Sequence, residues 1–262
     1  MDRALLIDCD GVLVDVEIDG HLAAFNQVWR EEGVPWQWTP GQYRTALRTA
    51  GGRERLAALA GSPDFLAAVG SLARFGDWRS TVERWHRRKT ELLAAIIERG
   101  GVQARPGVVR LMREARQEGW ALAVVSSGTA RTVHGFVRTL LADLADDLVV
   151  VTGDDVSTKK PDPEGYLRAL TRLRVPAHRA LAVEDSHRGL RAAVTAGLTC
   201  LVTTTPATAG QDFTAAVAVL SDLGEPGSPP VRGLPGEWSG HVTVAHLASL
   251  LDAARSGPVV HR

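Results

Sequence analysis

Apolar residues along this chain fall into short runs, and the way the runs repeat changes from one region to the next. Ala4-Leu5-Leu6-Ile7 is a continuous apolar run, the signature of a strand covered on both faces, and predicts a strand over 4–8. From Leu13 to about Gly101 the pattern is mostly helical, broken at Gly33-Val34-Pro35, Gly51-Gly52 and Gly61-Ser62-Pro63. Between 104 and 203 helical and strand patterns alternate. Pro106-Gly107 opens a helix ending near Gly119, and 120–125 is a predicted strand. A helix over 130–143, a strand over 148–151, a helix over 163–173, a strand over 180–183, a helix over 187–196 and a strand over 198–202 follow.

Such alternation predicts an α/β fold, a parallel sheet with helices on both faces that includes the first strand. The helical stretch after that strand reads as an inserted subdomain. Past Gly224, Glu225-Pro226-Gly227-Ser228-Pro229-Pro230 predicts a loop, and 242–254 an amphipathic helix with Val244, Leu247, Leu250 and Leu251 on one face. The expected domains are a core of 1–14 and 102–224, a helical domain of 15–101, and a loop with a terminal helix, 225–262, packed on the core.

Composition narrows the function classes. A chain of 262 residues, 45% hydrophobic, can bury a sizeable core as one large domain or two smaller ones. Thirty basic residues balance thirty acidic ones, which argues against a broad nucleic-acid or membrane surface. Cys9 and Cys200 both sit in strand-like runs and form neither a disulfide framework nor a zinc spacing, so a reducing cytoplasm is the expected compartment. No signal peptide is expected before the first strand, and no apolar stretch is long enough for a bilayer. The eight histidines form no H-E-x-x-H cluster, and G-x-G-x-x-G and G-x-x-x-x-G-K-[ST] are absent, which argues against dinucleotide and P-loop sites. Five of the seven tryptophans (Trp29, Trp36, Trp38, Trp78, Trp85) lie in the helical stretch, where core packing is the simpler account than sugar stacking.

Candidate chemistry begins at Asp8-Cys9-Asp10-Gly11-Val12-Leu13. Side chains alternate along a strand, so Asp8 and Asp10 are expected on one face and Cys9 on the other. Two carboxylates so close call for a cation or a shared proton, which suits a divalent metal and phosphate chemistry. Three later segments matter: Val124-Val125-Ser126-Ser127-Gly128 and Leu181-Ala182-Val183-Glu184-Asp185-Ser186 end apolar runs, and Lys159-Lys160-Pro161-Asp162-Pro163 places a lysine just before a proline-punctuated loop. Alone, Ser126 reads as a helix cap, Lys160 as a solvated charge and Glu184-Asp185 as a polar turn. In an open α/β sheet, ligands bind at the carboxyl ends of the strands, where all four segments can converge.

This set, in this order, resembles the haloacid-dehalogenase-like (HAD) phosphohydrolase superfamily over roughly residues 1–224. The resemblance implies a Rossmann-like parallel-sheet core with an inserted helical cap. It implies Asp8 as nucleophile and Asp10 as general acid/base. Ser126 would be the phosphate-binding hydroxyl, with Ser127 and Gly128 beside it, and Lys160 the clamp on phosphate and aspartate. Mg2+ would be held by Asp8, the Asp10 carbonyl, Glu184 and Asp185. Within the inserted region, Glu17-Ile18-Asp19-Gly20-His21, Ala24-Phe25-Asn26, Trp36-Gln37-Trp38, Tyr43, Gly51-Gly52-Arg53-Glu54-Arg55 and His86-Arg87-Arg88-Lys89-Thr90 are similar to the cap of CbbY-type HAD proteins, as is Arg105-Pro106-Gly107 after it. Arg53 stands where that pattern has lysine, which keeps the charge and changes the donor geometry. Val12 replaces a common threonine.

The CbbY-type branch includes a phosphatase of xylulose 1,5-bisphosphate. By that resemblance Glu17 and His21 contact sugar hydroxyls, Tyr43 lines the substrate site, and Arg53, Arg55 and Lys89 meet a distal phosphate. The implied activity is magnesium-dependent hydrolysis of a sugar phosphate or bisphosphate through an aspartyl-phosphate. The alternatives are a β-phosphoglucomutase-like mutase, an inactive HAD-fold regulator and a dehalogenase. The expected partner is a small phosphorylated sugar, with no nucleic acid and no membrane, and the expected assembly is a monomer.

Overall fold

The first apolar run becomes a central strand with every residue buried, because its sheet is covered on both faces. The structure, a computed structural model, describes residues 2–49, 51–99, 102–229, 231–235, 238 and 240–255. After β1 (Ala4–Ile7), a turn of π-helix (Glu17–Leu22) leads into α1 (Ala23–Glu31), α2 (Pro40–Ala46), α3 (Gly52–Ala58), α4 (Pro63–Val69) and α5 (Trp78–Glu98). The chain then alternates through α6 (Val108–Gln117), β2 (Ala121–Val125), α7 (Ala130–Leu140), β3 (Leu148–Val151), α8 (Glu164–Leu173), β4 (Ala180–Glu184), α9 (His187–Thr195) and β5 (Thr199–Thr203). It closes with β6 (Ala218–Leu220) and α10 (Val244–Arg255). Two compact units result, a sheet unit of Met1–Asp15 with Gln103–Arg262 and a helical unit of Val16–Val102.

In the sheet unit six parallel strands lie in the order β3-β2-β1-β4-β5-β6. Strand alternation divides their side chains between two faces. Ala4, Leu6, Ala121, Ala123, Val125, Ala180, Ala182, Cys200 and Val202 form one core with Tyr166, Ala169 and Leu170 of α8 and Leu190, Ala192 and Ala193 of α9. Leu5, Ile7, Leu122, Val124, Leu181, Val183 and Leu201, the alternate set, are equally buried. Helices α6 and α10 pack against each other; α6 also touches β2, and α10 touches β4 and β5. Val244, Leu247 and Leu251 are the buried positions of α10, spaced three and four apart.

Two expectations need correction. The first strand ends at Ile7 because the chain turns sharply after Asp8, although the Asp8 amide still donates to Val183 O at 3.0 Å. A sixth strand, β6, was not expected: it is three residues long, too short for a periodic signal, and only pairing with β5 defines it. Beyond Gly224 the chain returns to the sheet margin, where Ser221 N donates to Arg232 O and Val242 N to Leu223 O.

The helical unit packs around aromatic rings. Phe25, Trp29, Trp38, Tyr43, Phe65 and Trp85 are buried together, and Trp36, Phe75 and Trp78 pack against them. Many contacts are edge-on, such as Trp29 with Trp38 at 4.9 Å between centroids, the favoured arrangement for ring quadrupoles. Helix starts follow local capping chemistry. Thr39 and Gln42 form a reciprocal capping box on α2, Ser62 precedes Pro63 on α4, and the Asp77 side chain accepts from Ser80 N on α5. No described helix is long and apolar enough to cross a membrane.

Candidate functional site

From β1 the chain moves outward to β2 and β3 on one side, and β4 pairs with β1 on the other. The strand order therefore reverses beside β1, and the carboxyl ends of β1, β2 and β4 flank the crevice this topology creates. Asp8 follows β1, Ser126 follows β2, and Glu184 closes β4 with Asp185 next. Lys160 arrives from the loop between β3 and α8.

The turn after Asp8 decides where the two aspartates go. Gly11 N donates to Val14 O at 2.6 Å and Leu13 N to Cys9 O at 3.0 Å. Gly11 has φ of 97°, and a side chain there would collide with the Asp185 carboxylate, so only glycine lets this loop approach β4. Asp10 therefore leaves the strand geometry and approaches the loop after β2. A Cβ built on Gly128 would lie 3.7 Å from Asp10 Oδ2 and 3.2 Å from Ser126 Oγ. Ser126 Oγ accepts from Gly128 N at 3.0 Å, and Gly128 O accepts from Gly153 N at 2.7 Å. Asp154 accepts from Ala130 N at 2.8 Å, capping α7 from the neighbouring loop. Cys9 is fully buried, and burial with the adjacent Asp10 and Asp8 pushes its thiol far up, which keeps it protonated.

Lys160 joins the strand ends electrostatically. Its ammonium donates to Asp8 Oδ1 at 2.6 Å, Glu184 Oε1 at 2.6 Å and Val125 O at 2.8 Å, matching three donors with three acceptors. Burial pushes the Asp8 carboxyl up to about 7; Glu184 and Asp10 push the same way while Lys160 pulls against them. Burial alone would lower the Lys160 ammonium, but Asp8 and Glu184 outweigh it and hold it above the ordinary lysine range. Glu184, fully buried, shares the alternating face of Ala180 and Ala182, towards α8. There the Tyr166 hydroxyl donates to Glu184 Oε1 at 2.5 Å, while Glu184 Oε2 accepts from Asp185 N at 3.2 Å. Burial and the Glu184 charge push the Tyr166 hydroxyl well up, so it stays a donor.

Among the described residues, Asp8, Glu184 and Asp185 bring carboxylate oxygens within 4.8 Å of one another, all three residues buried. Three carboxylates against the Lys160 ammonium leave excess negative charge, and the donors are hard oxygens, which suit a divalent cation such as Mg2+. The Asp10 carboxylate is outside this grouping.

Arg105 braces the loop from behind. Its guanidinium donates to Gly11 O, to Thr203 Oγ1 at 3.1 Å, and to Thr204 O and Ser221 O at 2.7 Å each. Its backbone N–H donates to Leu13 O at 2.9 Å. One planar fork thus ties the Asp8–Leu13 turn to the ends of β5 and β6.

In the helical unit all but one of the residues singled out from sequence form two groups, buried except for the half-buried Glu17. Tyr43 OH donates to Glu17 Oε2 at 2.8 Å and accepts from Arg55 Nη1 at 2.7 Å, and Arg55 also lies over the Tyr43 ring. Lys89 Nζ lies 2.7 Å from His21 Nδ1 and over the Phe25 ring. Arg53 stands apart: it is exposed on α3 and pairs with Glu83 at 3.4 Å.

Sequence reading missed Tyr166, Arg105 and Asp154 as site residues. Tyr166 shares a helix face with Ala169 and Leu170 and so reads as core, and nothing local marks its hydroxyl. Arg105 lies in the Arg105-Pro106-Gly107 motif, but its acceptors come from segments about a hundred residues away in sequence.

The sequence model of the haloacid dehalogenase-like hydrolases matches residues 3–197. The chain is 38% identical over 231 residues to a CBBY-like protein of Arabidopsis thaliana, covering 86% of this chain and 70% of that protein. It is 36% identical over 235 residues to protein CbbY of Rhodobacter capsulatus, covering 89% of this chain and 99% of that protein. A solved structure of mutant CbbY from Rhodobacter sphaeroides in complex with xylulose 1,5-bisphosphate is similar with a TM-score of 0.72 at 34% identity, over 85% of this chain and 95% of that chain.

Proposed function

Because the chain belongs to the haloacid dehalogenase-like hydrolases, in their CbbY-type branch, and is a phosphoric monoester hydrolase, we propose that it hydrolyses a sugar phosphate or sugar bisphosphate with Mg2+ through an aspartyl-phosphate on Asp8. The observation that carries this reading is the Asp8 carboxylate at the end of the central strand, 2.6 Å from Lys160 and grouped with Asp185 and Glu184. A ketose bisphosphate is the favoured substrate class, because a relative at 34% identity is seen with xylulose 1,5-bisphosphate.

Asp8 attacks phosphorus, so an oxygen–phosphorus bond forms on the carboxylate as the bond to the sugar oxygen breaks. Asp10 protonates that leaving oxygen, then takes a proton from the water that attacks the phospho-aspartate, which releases phosphate and restores Asp8. Lys160 and Ser126, with Ser127 and Gly128 beside it, hold the transferring oxygens. Asp8, the Asp10 carbonyl, Asp185 and Glu184 would hold the Mg2+, which when bound offsets the repulsion between carboxylate and phosphate. Glu17, His21, Tyr43, Arg53, Arg55 and Lys89 are assigned to recognition of the sugar and its second phosphate.

Phosphate release from a panel of phosphorylated sugars with magnesium tests the reading. Release without any added sugar bisphosphate primer supports a phosphatase; turnover that depends on such a primer and moves phosphate between sugar positions would make the protein a mutase instead. Absence of turnover across the panel would sink the substrate class.

Arg53→Ala is expected to penalise a bisphosphate far more than a monophosphate. An exposed pair such as Arg53–Glu83 is worth about 0–1 kcal/mol, so the guanidinium is cheaply redirected to an anion. A charge-assisted hydrogen bond contributes roughly 1.5–3 kcal/mol, so the selective loss in kcat/KM is about tenfold or more. Equal losses for both substrate classes would reduce Arg53 to a structural residue of α3.

A further inference from the structure

Glu164 and Tyr166 hold the Lys160 loop from opposite sides of the start of α8. Outside, Glu164 Oε2 accepts from Ser157 N at 2.9 Å, Ser157 Oγ at 2.6 Å and Thr158 N at 2.9 Å, which fixes the backbone just before Lys160. Inside, two residues further on, the fully buried Tyr166 donates its hydroxyl to Glu184 Oε1 at 2.5 Å, the same oxygen that takes Lys160 at 2.6 Å. The Lys160 ammonium also lies 4.9 Å from the centre of the Tyr166 ring. Packing accounts for the ring, which sits with Ala169 and Leu170 on the sheet-facing side of α8. It does not account for a hydroxyl aimed at the carboxylate that shares Lys160 with Asp8.

We propose that Tyr166 is a positioning residue for phosphoryl transfer: its hydroxyl takes up part of the Glu184 charge and fixes that carboxylate, so that Lys160 stays divided between Glu184 and Asp8. The proposal rests on the phosphatase reading above. Without the hydroxyl, Lys160 is the stronger partner left at Glu184 Oε1, and the undivided carboxylate draws the ammonium away from Asp8. The oxygens that transfer from sugar to Asp8 then lose a donor where charge moves during reaction, while contacts to the rest of the substrate remain. The loss falls on kcat rather than KM.

Tyr166→Phe isolates the hydroxyl, because the ring, its packing and its place under Lys160 stay. The expected result is a kcat lower by about tenfold or more, with KM within about twofold and Tm little changed. A second readout needs no turnover. In protein labelled with 15N-lysine, the Lys160 ammonium signal, assigned by its loss in Lys160→Met, is expected to be sharp and protected in the wild type and to shift and broaden in Tyr166→Phe. Unchanged kcat, a loss confined to KM, or an unmoved Lys160 signal would overturn the proposal and leave Tyr166 a core residue. A wild-type protein that releases no phosphate from any sugar phosphate would instead overturn the phosphatase reading, and the lysine signal would still decide whether Tyr166 holds Lys160. Should Tyr166→Phe not fold, Tyr166→Met, which also removes the hydroxyl and keeps an apolar side chain in the core, is expected to shift the same signal; an unmoved signal there also overturns the proposal.

Discussion

Asp8→Asn is expected to abolish phosphate release, by on the order of 10³-fold or more, while the protein folds as before. The amide nitrogen lone pair is delocalised and the group carries no charge, so it cannot form an aspartyl-phosphate. The substitution is nearly isosteric, and an amide oxygen still accepts from Lys160, whose ammonium lies 2.6 Å from Asp8 Oδ1 in the wild type. Removing a negative charge from a buried group that already contains Glu184 and Asp185 relieves repulsion, so Tm should hold or rise. Phosphate release at saturating substrate, with a thermal melt alongside, measures both halves. Wild-type turnover in a folded Asp8→Asn protein would remove Asp8 from the nucleophile's role.

Chelation is expected to have an effect of similar size. With EDTA, turnover should fall to background, and magnesium should restore it, because Asp8, Glu184 and Asp185 present only hard oxygen donors and more negative charge than Lys160 neutralises. Asp185→Ala should raise the magnesium needed for half-activation by about tenfold or more while changing sugar preference little. A readout independent of turnover is the melt itself: at a hundred times its Kd, a ligand of the folded state adds about 2.7 kcal/mol of stability. Magnesium should therefore raise the wild-type Tm, and the rise should shrink in Asp185→Ala. Activity that ignores EDTA, with a Tm indifferent to magnesium, would defeat the metal-site assignment.

Much of the sheet was legible from local pattern. Ala4–Ile7, Ala121–Val125 and the stretch of Ala180–Glu184 before its final glutamate are continuous apolar runs because strands buried on both faces have no polar side to show. Their alternation with helices of period 3.6 is enough to imply parallel pairing. The polar residues at the strand ends, Asp8, Ser126, Glu184 and Asp185, stand out for the same reason, since each breaks an apolar run where the chain leaves the sheet. Gly51 and Gly61 were legible as breaks because helices α3 and α4 start beside them.

What the sequence by itself determined, then, is the α/β class and the identity of the polar groups at the strand ends, since both are written in patterns a few residues long. The tertiary structure alone decided which of those groups meet. Strand alternation suggested that Asp8 and Asp10 share a face; it is the left-handed turn at Gly11 that brings Asp10 to Gly128, and that turn fits only because glycine has no side chain to collide with Asp185. Arg53 sits in the same glycine-rich segment as Arg55, yet helix geometry exposes Arg53 to Glu83 and turns Arg55 inward to Tyr43. Lys160 and Glu184 are 24 residues apart, and the Tyr166 hydroxyl that meets the same Glu184 oxygen lies on a helix face whose pattern speaks only of burial. Hydrophobic periodicity reports which side of an element is covered; which polar atom meets which, across segments distant in sequence, is set only when the elements pack.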